Sequence, residues 1–112
     1  MSDLITLLDI YQAIELIFSY TKNVSYQELV KNQEKQDAVL RRIIIIGEAT
    51  KRLSADFRQQ HSSIPWKQIA GMRDILTHNY DNVDLEEVWA VINVNLPILH
   101  QYIYPLLPPI KN

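Results

Sequence analysis

The sequence predicts an all-α protein, a compact bundle of four to five helices. Of its 112 residues, 47% are apolar, so the chain can bury a core, and its length suits one domain over residues 1–112. It contains only two glycines, and four of its five prolines lie at or beyond Pro97. Most of the chain therefore lacks helix breakers, which favours helices over a turn-rich β fold.

The first helix is predicted over residues 3–22. Its apolar residues fall at helical spacing: Leu4, Leu7, Leu8, Tyr11, Ile14 and Phe18. Isoleucines at positions 5, 10 and 17 widen this stripe. We expect so apolar a helix to be covered on two sides, by its own bundle and by a second subunit.

Two further helices follow a predicted turn at residues 23–25. Ser25 and Glu28 have the spacing of a capping box, which predicts a short helix directly after Ser25. A long helix is predicted over residues 35–53. It includes four consecutive isoleucines at positions 43–46, whose β propensity is outweighed by helix-forming flanks, and we expect apolar contact all round them.

Two more helices are predicted in the second half of the chain. After a loop at residues 61–65, a short helix is expected over residues 66–77, with a proline near its start where the missing N–H costs nothing. Asp84 resembles the N-terminal cap of a last helix that runs to about Tyr102. Pro97 should kink that helix.

Composition excludes several classes of protein. Cysteine is absent, so no disulfide, zinc–thiolate site or cysteine nucleophile is possible. The first residues lack the basic region of a signal peptide, and the purely apolar run at residues 43–46 is far shorter than the roughly 20 residues of a membrane span. We therefore expect a cytoplasmic protein with no membrane contact.

The formal net charge of −2 is unusual for a dedicated nucleic-acid binder. Any RNA contact must then come from a local patch. Six cations could form one: Arg41, Arg42, Lys51, Arg52, Arg58 and Lys67. A set of this kind is more commonly a solvent-exposed helix face with no binding role.

Residues 71–80 concentrate the groups that metal-independent RNA cleavage needs. The reaction requires a base for the 2′-OH, a cation for the charge that develops on the phosphoryl oxygens, and an acid for the leaving 5′-oxygen. His78 can serve as acid or base, and Arg73 can clamp the phosphate. Tyr80 can donate a hydrogen bond to a phosphate or orient the histidine.

Each of these residues also has a purely structural interpretation. His78 near a helix end is often only a cap, Arg73 can pair with Asp74, and Tyr80 can pack. On an ideal helix, Arg73 and His78 lie about 140° apart. They converge only if the helix ends or distorts near Thr77, or if a second subunit brings another copy alongside.

The surrounding sequence makes this pattern specific. Over almost its whole length the chain resembles the HepT-like branch of the HEPN superfamily, whose motif is Arg, four residues, His, one residue, Tyr. Arg73, His78 and Tyr80 fill the motif without departure. Other segments that resemble the family are Leu8-Asp9-Ile10, Ala13-Ile14, Asp37-Ala38-Val39, Ile46-Gly47-Glu48-Ala49, Ile64-Pro65-Trp66, Val83-Asp84 and Val88-Trp89.

This resemblance implies a helical homodimer with the motif at the subunit interface. It implies a ribonuclease toxin that cuts RNA and is encoded beside a nucleotidyltransferase antitoxin of the MntA type. In that family the antitoxin adds AMP to the motif tyrosine, here Tyr80, and so blocks the site. The alternative is a non-catalytic HEPN protein that binds nucleotides or assists a nucleotidyltransferase.

Three further residues are candidates for supporting roles: Glu48, Asp74 and Asn79. Burial of Glu48 in so apolar a helix would be costly unless it is paired. Either it orients Arg73, or it forms an ordinary ion pair with a lysine or arginine three or four residues later.

No group of residues has metal-ligand spacing, and no cofactor is expected. His61 and His100 are predicted to be surface or cap residues, and Trp66 and Trp89 to lie in the core.

Overall fold

Helices make up most of the described chain, and no strand occurs in that part. The computed structural model describes residues 2–78 and 83–109, except for the side chains of residues 74–78. The helices are α1 (Asp3–Thr21), α2 (Tyr26–Lys31), α3 (Gln33–Arg52), α4 (Ala55–Gln60), α5 (Trp66–His78), α6 (Leu85–Ala90) and α7 (Leu96–Ile103). A π-helical turn (Val91–Asn95) joins α6 to α7, and a 3₁₀ turn (Tyr104–Leu106) follows. The prediction of an all-α fold is confirmed.

Local sequence signals set the helix starts. Ser25 and Glu28 form the predicted capping box at the start of α2. The Asp84 carboxylate accepts hydrogen bonds from the backbone of Glu86 and Glu87, as predicted for the start of the last helix. Asn23, in the turn before α2, has a φ of 59°, a left-handed conformation that asparagine tolerates better than most residues.

One helix, α4, was not predicted from the sequence. Ser54 caps it by accepting a hydrogen bond from the backbone of Phe57. The same serine is bound by Asp3 at the start of α1, whose carboxylate accepts from the Ser54 backbone N–H (2.9 Å) and hydroxyl (2.7 Å). These two bonds lower the pKa of Asp3 and tie α4 to α1.

The core lies where α3 packs between α1 and α5, with α7 against α1. Its fully buried side chains include Leu7, Ile10, Ile14, Ile17, Ile46, Leu96 and Ile103. Of the four consecutive isoleucines, those at positions 43 and 46 are buried, whereas those at positions 44 and 45 are half-buried at the edge of the core. All four therefore contact the core, as expected, although only two of them are buried.

By length and composition, α1 could cross a membrane, so the sequence-based expectation that no segment approaches such a span is wrong for this helix. Its apolar character has another explanation in this structure. One face of α1 fills the core, while Leu4, Ile5 and Leu16 remain 37–54% exposed.

Pro97, which is predicted to kink the last helix, lies just after a π-helical turn. Proline cannot donate a backbone hydrogen bond, and its ring crowds the carbonyl of the residue four before it. The preceding turn widens to π geometry, in which the N–H of Leu96 binds the carbonyl of Val91. The helical path from α6 to α7 therefore continues past the proline.

Candidate functional site

Arg73 lies on the face of α5 that packs against α3. In α3 it packs against Gly47. The distance between the two helices at this point leaves no room for a side chain, so the position requires glycine. A Cβ at position 47 would lie 2.6 Å from the Arg73 Cβ, 3.2 Å from its backbone nitrogen and 3.3 Å from the Ala70 carbonyl oxygen. The absence of a side chain at Gly47 therefore lets α3 and α5 approach closely at the arginine.

Glu48, the next residue of α3, pairs with the same arginine. The distance from Glu48 Oε1 to Arg73 Nε is 3.6 Å, and the two side chains are 42% and 36% exposed. Glu48 is therefore not buried. Of the two interpretations that the sequence left open, the structure shows the contact with Arg73, while Arg52 lies 3.8 Å from Asp9 of α1.

His78 is the last residue of α5. The helix thus continues one residue beyond Thr77, where the sequence suggested that it ends or distorts. The side chains of Asp74 and His78, and all of Asn79 and Tyr80, lie outside the described residues, so the predicted convergence of the histidine and tyrosine on Arg73 stays a prediction.

The family of the chain follows from comparison with known proteins. Residues 10–106 match the model of the HepT-like ribonucleases. The chain belongs to the HepT-like ribonuclease family. No solved structure matches it with statistical significance.

Several proteins resemble this HepT-like chain over most of its length. A probable ribonuclease HepT of Thermococcus cleftensis is 40% identical over 91 residues, which cover 81% of this chain and 83% of that protein. A putative RNase of Caldanaerobacter subterraneus subsp. tengcongensis is 39% identical over 98 residues, 88% of each chain. A gamma-glutamylcyclotransferase and putative RNase of Methanocaldococcus jannaschii is 44% identical over 98 residues, but the match spans only 44% of its length.

The other histidines of this HepT-like chain have structural surroundings. His61 ends α4, as predicted for a cap, and its Nδ1 lies 3.2 Å from the Tyr102 hydroxyl. His100 lies in the last turn of α7 with its side chain 25% exposed, which agrees with the prediction of a surface or cap residue, and its ring also stacks on Tyr11 at 4.6 Å and contacts Phe18 at 5.4 Å. Among the residues whose side chains are described, no cluster of acidic and histidine side chains could hold a metal.

Sequence reasoning did not assign a role to Gly47. A signal was nevertheless present, because glycine inside a helix costs about 1 kcal/mol relative to alanine and often marks a close contact. The residues around Gly47 do not indicate which helix contacts it, because that depends on the tertiary packing.

Proposed function

We propose that this protein is a metal-independent endoribonuclease whose site is built on Arg73 and His78. The observation that supports it most directly is the placement of Arg73. Close packing on Gly47 and the contact with Glu48 hold this cation at the surface of a HepT-like ribonuclease chain, within the reach of a phosphate in solvent. A partly exposed, laterally supported guanidinium suits transition-state binding of a phosphoryl group.

The proposed reaction uses the 2′-OH of the RNA as its nucleophile. His78 of one copy takes the 2′-OH proton, the oxygen attacks the adjacent phosphorus, and the bond to the 5′-oxygen breaks. A proton from an acid neutralises the leaving oxygen, and the products are a 2′,3′-cyclic phosphate and a 5′-hydroxyl end. Arg73 stabilises the negative charge that builds up on the phosphoryl oxygens.

The motif supplies one histidine per chain, whereas the reaction uses a base and an acid. A two-fold homodimer would bring two copies of the motif to one cleft and provide both. Exposed apolar side chains are available for association on α1, at Val94 in the π-helical turn and at Ile98 in α7; the last two are 57% and 64% exposed.

Cleavage by the purified protein tests the activity and separates it from the alternative of a non-catalytic nucleotide-binding or accessory subunit. We expect cleavage to survive EDTA and to leave 2′,3′-cyclic phosphate ends. Arg73→Ala and His78→Ala should each abolish it without loss of helical circular dichroism, whereas Lys31→Ala, an exposed cation on α2, should not. Activity that disappears in EDTA and returns with magnesium would refute the mechanism.

We further propose that the protein acts in the cytoplasm as a toxin and that an MntA-type nucleotidyltransferase inactivates it by adding AMP to Tyr80. The added phosphate would carry negative charge two residues from His78 and compete with RNA for Arg73.

Intact-mass measurement after co-expression with that enzyme tests this regulation. We expect whole AMP increments that disappear in Tyr80→Phe, together with loss of cleavage by the modified protein. An unmodified chain that the partner still inhibits would show inhibition by binding alone and would overturn the proposal for Tyr80.

A further inference from the structure

Positive charge is concentrated in α3, although the whole chain carries a net charge of −2. Residues 38–52 contain four of the 11 lysines and arginines but only one of the 13 acidic residues. That one acid is Glu48, which is paired with Arg73. A local basic surface therefore lies on the helix that contacts the proposed catalytic arginine.

The four cations of residues 38–52 do not all lie on one face of α3. On an ideal helix, Arg41 lies about 20° from Glu48, on the same exposed stripe, whereas Arg42 lies about 120° away and is half-buried. Arg52 is exposed and lies about 20° from Arg41. It is, however, about 140° from Gly47 and so faces away from α5, and it contacts Asp9 of α1 at 3.8 Å.

Lys51 is on the other edge of that stripe. It follows Gly47 by one turn, so it lies on the side of α3 that faces α5, and it is exposed. Along the axis of α3, Arg41 lies about two turns before Glu48 and Lys51 about one turn after it. The two cations therefore lie on either side of the contact between Glu48 and Arg73.

Arg41 and Lys51 are ten residues apart along α3. This is about 15 Å, a length that about four stacked nucleotides of a strand span. One turn before Arg41, the exposed residue on this stripe is the acidic Asp37, so the positively charged surface ends there. Half-buried Ile44 and Ile45 lie between the two cations.

A second copy of the chain is a less suitable occupant. A two-fold contact centred on this stripe would bring the same cations of both copies together, which costs free energy, whereas RNA phosphates would neutralise them. We infer that Arg41 and Lys51 bind the RNA backbone on either side of the phosphate that Arg73 stabilises. This inference rests on the proposed ribonuclease function and adds the surface that aligns the strand.

The test compares two double variants with equal loss of charge. One is Arg41→Gln with Lys51→Gln. The matched control is Lys22→Gln with Lys31→Gln, two exposed lysines outside α3. Binding to a fully 2′-O-methylated RNA, which offers no nucleophile, is measured by fluorescence anisotropy across a salt series, and cleavage of unmodified RNA is measured separately.

We expect the α3 variant to lower the slope of log K against log salt by about 1.4, because each lost phosphate contact on a single strand removes about 0.7. In cleavage, KM should rise while kcat stays unchanged, and the control should match wild type. An unchanged slope would assign these cations to a solvated face and overturn the inference, as would a wild-type protein that does not bind the methylated RNA. Loss of self-association instead of RNA binding, seen by light scattering, would assign the stripe to a subunit interface.

The two proposals fail in different ways. A protein that binds RNA through Arg41 and Lys51 but never cleaves it would refute the catalytic proposal and leave the binding surface in place. Cleavage with an unchanged KM in the α3 variant would do the reverse.

Discussion

At the scale of single residues, the contact between Glu48 and Arg73 has little weight in stability. Both side chains are more than a third exposed, and surface ion pairs of this kind contribute at most about 1 kcal/mol. Its proposed value is orientation, because a carboxylate beside Nε restricts the plane in which the guanidinium fork lies. Glu48 would then act through Arg73 as a positioning residue.

Replacement of Glu48 by glutamine separates these two effects. We expect Glu48→Gln to lower kcat by roughly ten- to a hundredfold, as misplacement of a catalytic group does, with little change in KM or in melting temperature. Glu34→Gln, an exposed acid in the first turn of the same helix, serves as the control and should retain wild-type kcat. Equal kcat values for the two variants would show that Glu48 has no positioning role.

At the scale of helices, the approach of α3 to α5 depends on one missing side chain. Glycine in the interior of α3 lowers the stability of that helix, but it allows the backbones of α3 and α5 to come into contact at Arg73. The second glycine, Gly71 of α5, has nothing within 4 Å of the position of a Cβ. The two glycines thus form a natural pair for comparison.

We expect Gly47→Ala to destabilise the protein by about 1–3 kcal/mol and to reduce cleavage, because the new methyl group must push α3 and α5 apart. Gly71→Ala should instead stabilise the fold by about 0.5–1 kcal/mol through its better helix propensity. Urea unfolding of both variants measures the difference. A neutral Gly47→Ala would mean that the contact with Arg73 relaxes without cost and that this glycine does not set the site.

At the scale of the whole molecule, the proposed mechanism requires two chains. We expect light scattering at micromolar concentration to give the mass of a homodimer. Wild-type chains refolded with an equal amount of His78→Ala chains should keep about a quarter of the activity of an all-wild-type sample rather than about half, because only dimers of two wild-type chains hold both histidines. A monomeric mass, or a mixture that keeps about half of the activity, would contradict a site shared between subunits.

Much of the fold was predictable because its signals are local. Capping at Ser25 and Asp84 involves residues three positions apart or fewer, and both caps occur as predicted. The short helix α4 was missed, because its six residues are too few to show a helical period. The ring contacts of His100 were missed for a different reason: its neighbours Tyr11 and Phe18 lie more than 80 residues away along the chain.

The sequence by itself determined the helical class, most helix boundaries and the motif of Arg73, His78 and Tyr80, since periodicity, caps and motif spacing are properties of neighbouring residues. Only the tertiary structure decided that Gly47 contacts Arg73 and that Glu48 pairs with it. The physical reason is that such contacts depend on which faces of α3 and α5 meet. That choice is made by burial of the whole core, to which Ile46 and Ile14 contribute from different helices, and no short segment encodes it.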